Sequence, residues 1–66
     1  MNKLNEAIYK FLKSQPQGKD FSTTQIAVAV NDTNDNVRKS LHVLCNTKLV
    51  VRTGQRNSQF YYKINS

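Results

Sequence analysis

Apolar residues recur along this chain with two periods, first helical and then strand-like. Leu4, Ala7, Ile8, Phe11 and Leu12 fall at i, i+3, i+4, i+7 and i+8, one face of a helix, and predict a first helix from Lys3 to Ser14. Asn2 is placed to cap it, Lys3, Lys10 and Lys13 lie off its apolar face, and Pro16 and Gly18 end it in a loop. Ser22-Thr23-Thr24-Gln25 matches a capping box, in which Ser22 accepts from the backbone of Gln25 and Gln25 reaches back. The short helix it opens, ending at Asn31, turns Ile26, Ala27 and Val30 inward. Asn31 and Asp32 break it by competing for backbone hydrogen bonds. The turn that follows lacks glycine, but Asn tolerates left-handed backbone.

Thr33 caps a third predicted helix that runs to about Thr47. Val37, Leu41, Leu44 and Lys48 line one face, with Ser40 beside them as a small residue that permits close packing. Asp35, Arg38, Lys39, His42 and Asn46 fall on the opposite side. The pattern then changes. Leu49 to Thr53 is a strand by its β-branched content. Phe60, Tyr62 and Ile64 alternate with Tyr61 and Lys63, as a half-buried strand requires. The intervening Gly54-Gln55-Arg56-Asn57-Ser58 reads as a polar, basic loop, and Asn65 and Ser66 as a loose end.

Sixty-six residues make a single domain, 1–66, which buries only about 60% of the surface its unfolded chain exposes. One cysteine, Cys45, excludes a disulfide framework and fits a reducing compartment. The longest apolar run, Ile26 to Val30, is far short of a membrane span, and Met1 to Glu6 lack the apolar block of a secretion signal. The expectation is a cytoplasmic protein with no membrane partner. The basic first helix also fits a membrane surface, but the rest of the chain needs its apolar face for a core.

Ten Lys and Arg stand against four acids, giving net charge +6, and the pI near 9.8 is in the range of nucleic-acid-binding domains. Catalysis has little material. His42 and Cys45, at i and i+3, cannot complete a four-ligand zinc site. Glu6, Asp20, Asp32 and Asp35 form no recognisable pair, and a chain with two glycines has no phosphate-binding loop. No enzyme activity, metal or cofactor is expected.

From Phe21 to Ile64 the chain resembles the winged helix-turn-helix superfamily of DNA-binding domains. The likeness rests on Ser22-Thr23-Thr24-Gln25-Ile26-Ala27, on Val37, Leu41 and Leu44, on Lys48-Leu49-Val50, and on Phe60, Tyr62 and Ile64. It is specific to the fold and not to one family. Many members carry Gly where Lys48 stands, which puts the tightness of that turn in question. The resemblance implies a small α+β fold of three helices and a C-terminal β-hairpin wing, with a brief strand at Phe21 pairing with the hairpin. It further implies a double-stranded DNA-binding protein, a regulator of transcription, that inserts the third helix in the major groove. The narrower family that binds left-handed duplexes fits less well: it places Asn and Tyr where this chain has Arg38 and His42, and carries a wing tryptophan that this chain lacks.

On that reading Arg38 is suited to bidentate bonding with guanine and Asn34, Asn36 or Asn46 to pairing with adenine, each good contact being worth about 1–3 kcal/mol of discrimination. Lys39 and His42 are phosphate or mixed contacts. Asp35 accepts from cytosine or simply favours the helix N-terminus. Thr23, Thr24 and Gln25 offer hydroxyls and N–H groups to a phosphate at the start of the second helix. Arg52, Arg56 and Lys63 supply the charge of the wing, with Arg56 at its tip placed for a minor groove. One such module is small, so useful specificity implies a homodimer or a partner protein. The alternative is a winged-helix interaction module binding an acidic partner protein. The basic third helix and wing favour DNA.

Overall fold

A computed structural model describes residues 2–65; Met1 and Ser66 lie outside the described residues. Six elements follow in order: α1 (Lys3–Lys13), β1 (Phe21–Ser22), α2 (Thr23–Val30), α3 (Asn34–Asn46), β2 (Val50–Arg56) and β3 (Gln59–Ile64). The α+β class and the order of elements are those expected from the sequence. The strands form one antiparallel sheet in the order β1-β3-β2, with Phe21 opposite Tyr62 and Ser22 opposite Tyr61.

Side-chain caps start all three helices. The Asn2 carboxamide accepts from the Asn5 N–H at 2.7 Å, and the Thr33 hydroxyl accepts from the Asn36 N–H at 3.1 Å. At α2 the capping box is complete: Ser22 Oγ accepts from Gln25 N at 3.1 Å while Gln25 Oε1 accepts from Ser22 N at 2.9 Å. Asn31 ends α2 with φ 57°, and Asp32 donates its N–H to the Ala27 carbonyl at 3.0 Å. Asn thus does at this turn what Gly does in many others.

Ile8, Leu12, Ile26, Ala27, Val37, Leu41, Leu44, Val50 and Tyr62 form the core. Phe21 and Phe11 meet edge to face, with ring centroids 5.0 Å apart, which fastens β1 to α1. On α1 the buried stripe is not quite the one expected. Asn5 is buried and Ala7 is exposed. The stripe centres on Ile8 and Leu12, and at about 100° per residue Asn5 lies nearer that centre than Ala7 does.

The end of α3 also departs from expectation. The helix stops at Asn46, and Lys48 leaves it, exposed, with φ 65°. Leu49 N donates to Leu44 O at 3.0 Å and Lys48 N to Cys45 O at 3.0 Å. These two bonds are the Schellman closure that glycine normally serves. The turn is therefore tight despite the lysine. Asn65 is not loose: its N–H donates to Leu49 O at 3.1 Å and its Nδ2 to Lys48 O at 2.6 Å, so it clasps the same turn.

The hairpin is longer and its turn shorter than the pattern implied. Gly54, Gln55 and Arg56 are strand, paired with Tyr61, Phe60 and Gln59. Only Asn57 and Ser58 turn, both at positive φ (52° and 66°), the signature of a two-residue type I′ connection. The register slips between Arg52 and Gly54, leaving Thr53 as the extra residue of a β-bulge.

Candidate nucleic-acid interface

Cross-strand partners share a sheet face, so the register sorts the hairpin side chains. Val50 and Ile64, Arg52 and Tyr62, and Gln55 and Phe60 point to the side occupied by the core and α3. Val51 and Lys63, Gly54 and Tyr61, and Arg56 and Gln59 point to the other. The three cations expected to act together in the wing are therefore divided, with Arg52 beside α3 and Arg56 and Lys63 behind.

Arg56 does not stand at the tip, because Asn57 and Ser58 make the turn. Its guanidinium lies over the Tyr61 ring, Cζ 3.8 Å from the centroid, and pairs with Asp20 at 2.8 Å. Thr53 Oγ1, on the bulge, donates to the other Asp20 oxygen at 2.7 Å. The Thr53 hydrogen bond and then the Arg56 guanidinium hold the Asp20 carboxyl below its ordinary range. This latch joins the loop after α1 to the outer part of the wing, from the bulge to the last pair before the turn, and occupies the arginine assigned to the minor groove.

On α3 the outward face is as expected. Asp35, Arg38, Lys39, His42 and Asn46 are all exposed, while Val37, Ser40, Leu41 and Leu44 are buried. Arg38 is already engaged with Asp35, one helical turn before it. The expected adenine readers Asn34 and Asn36 are used locally. Asn34 Nδ2 donates to Thr24 Oγ1 at 3.2 Å, which ties the starts of α2 and α3 together. Asn36 Nδ2 donates to Asp32 Oδ1 at 2.8 Å, and this bond, with that from Thr33 N, holds the Asp32 carboxyl below its ordinary range. The side chain of Gln25 and its N–H both serve the capping box. Thr23 is half-buried and Thr24 exposed beside it.

Periodicity gave Phe60 to the buried side of its strand, yet it is 40% exposed. It lies beyond the end of the core with the Arg52 guanidinium over its ring, Cζ 4.3 Å from the centroid. Only the length of the hairpin, hidden by the polar run Gly54–Arg56, could have revealed this. Between the Arg52–Phe60 stack and α3 lies a cleft of about 640 Å³, rimmed by Arg38, His42 and Arg52. Burial pushes the Cys45 thiol and the Tyr62 phenol, both on its floor, above their ordinary pKa values, so both stay neutral at pH 7.

Among the described residues no group of three His, Cys, Asp or Glu side chains is placed to hold a metal, and no helix is long and apolar enough to cross a membrane. Compared with protein-family models and with curated proteins, the chain matches none.

Proposed function

We propose that this protein binds double-stranded DNA and regulates transcription, seating α3 in the major groove with the hairpin against the adjacent backbone. The observation that carries the reading is the two-sidedness of α3. Val37 and Leu41 are wholly buried on one flank, while Arg38, Lys39, His42 and Asn46 stand in water on the other. A helix presented this way fits the width of the major groove. Lys39 and Arg52 make the leading phosphate contacts, His42 and Asn46 reach toward base edges, and Arg38 does so on release from Asp35. That release is cheap, since an exposed pair is worth only about 0.2–1 kcal/mol. Lys63 and the latched Arg56 lie on the far face of the hairpin and add long-range attraction only. A lone thiol suits the reducing cytoplasm, where such a regulator works. The small interface of one module calls for a dimer or a partner, and the outer edge of β2, which pairs with no other strand among the described residues, offers a place for it.

The test is a selection from random duplex DNA at two salt concentrations. Neutralising about five phosphates gives a slope of log affinity against log salt of about −4.5. The double charge reversal Lys39→Glu with Arg52→Glu is expected to flatten that slope by about 2. A flat salt response, or a charge-reversed variant that binds as well as the parent, overturns the reading. The outward face of α3 would then belong to an interaction module for an acidic partner protein.

A further inference from the structure

The cleft between α3 and the hairpin combines three properties that the DNA reading does not require. Its floor is apolar: Cys45, half-buried, and Tyr62 present its surface, over Leu41 and Val50, which are fully covered. Its rim is cationic or titratable, from Arg38, His42 and Arg52, and none of the four acids lines it. Its wall is flat, built from the Phe60 ring and the Arg52 guanidinium lying over it. At about 640 Å³ it falls within the range of small-molecule sites.

We infer that this cleft binds a small planar aromatic carboxylate, whose occupancy competes with duplex DNA for Arg38 and Arg52. The ring fills the apolar floor against Phe60 and the guanidinium plane, a surface that stacks because it is weakly hydrated. The carboxylate turns to the rim, where Arg38 and His42 donate to it. Arg38 is paired with Asp35, which lies outside the cleft, and turns from that exposed pair to the ligand. Inorganic phosphate is a poorer match, since it leaves the apolar floor wet. The binding step stands on the cleft alone; the competition rests on the duplex reading above.

Amide spectra of the whole chain, titrated with 1-naphthoate, test the binding. Its neutral isostere 1-naphthamide and the ringless anion acetate serve as comparisons. Naphthoate is expected to saturate, with shifts concentrated at residues 38–45, 52 and 60–62. The amide is expected to bind about tenfold more weakly, the worth of a charge-assisted hydrogen bond, and acetate to give no saturation. Cys45→Phe, which fills the floor, is expected to abolish the shifts while circular dichroism stays that of the parent. Should that variant not fold, Arg52→Gln on the surface takes its place, with an expected loss of about tenfold. Shifts scattered over the molecule, or equal binding of acid and amide, overturn the site. Saturating naphthoate is also expected to weaken duplex binding in the parent and to leave it unchanged in Cys45→Phe. Cleft binding with undiminished duplex affinity overturns the competition. A chain that binds no duplex overturns the functional reading, while the naphthoate shifts still decide the cleft.

Discussion

Lys48 sits where backbone geometry favours glycine, and replacing it gives a clean measure of what that costs. With φ 65° its Cβ crowds its own carbonyl, a penalty of about 1–2 kcal/mol for an L-residue. Two hydrogen bonds to the end of α3 and the clasp by Asn65 hold it there. Lys48→Gly removes the crowding but restores about 0.5–1 kcal/mol of entropy to the unfolded chain. Taking the middle of each range, the difference is a net stabilisation of about 0.75 kcal/mol. For 66 residues the unfolding entropy is about 0.14 kcal/mol/K, so Tm is expected to rise by about 5 °C.

Charge complicates this, since removing any lysine relieves self-repulsion in a chain of net charge +6. Lys48→Ala provides the control, because alanine loses the charge but keeps the Cβ. Thermal unfolding at low and high salt, followed by circular dichroism, separates the two causes. A stabilisation confined to glycine and unchanged by salt supports the backbone explanation. Equal gains from glycine and alanine, or no gain from glycine, refute it.

Three further outcomes follow from the fold. Ser22→Ala leaves the Gln25 N–H at the start of α2 without its side-chain partner and is expected to lower stability by about 1–2 kcal/mol, read as the shift of a urea midpoint. Ile26→Ala empties a fully buried site at an expected cost of about 2–5 kcal/mol, comparable to the whole stability of so small a domain, so its far-ultraviolet spectrum at 37 °C is expected to be largely that of unfolded chain. The Asp20 carboxyl is expected to titrate below the ordinary carboxylate range in carbon-detected spectra, and to move back toward it in Thr53→Val and, to a lesser degree, in Arg56→Gln. Because its folded pKa is the lower one, its contribution is complete above the unfolded carboxylate value and is lost as pH falls through the folded value. Asp20→Asn is therefore expected to remove that acid-side pH dependence; an Asp20 that titrates normally in the parent refutes the latch.

The features legible in the chain were those set by neighbours a few residues apart. The caps at Asn2, Ser22 and Thr33 and the inward positions Val37, Leu41 and Leu44 of α3 depend on local spacing and stand as expected, whereas Lys48, given to the same stripe, lies past the end of the helix. The strand of Gly54, Gln55 and Arg56 was not legible, because its residues have little intrinsic preference for extension and are held by Gln59, Phe60 and Tyr61 across the hairpin. Ser58, at positive φ where turns of this type favour glycine, hid the true turn beside Asn57. The outward set on α3 was legible by angle alone. Its pairing was less so, since the choice of Asp35 for Arg38 competes with solvent at every exposed site.

Arg56 carries the wider consequence. The same residue reads as a wing-tip minor-groove contact from the sequence and as a structural tie from its neighbours, and the difference is made by Asp20, far away in the chain. Net charge counts both partners of such a pair as if they were independent, so it overstates what the surface offers to a polyanion. Asp20, Asp35 and Glu6 each engage a cation, at Arg56, Arg38 and Lys10. The charge left over is not spread evenly. On the α3 side it gathers at Lys39 and Arg52, while Lys63 faces away. On the proposed function, a duplex approaching α3 would meet a narrow positive ridge beside an apolar, arginine-rimmed cleft. In the competition proposed above, that juxtaposition would set a small anion against the duplex for the same arginines.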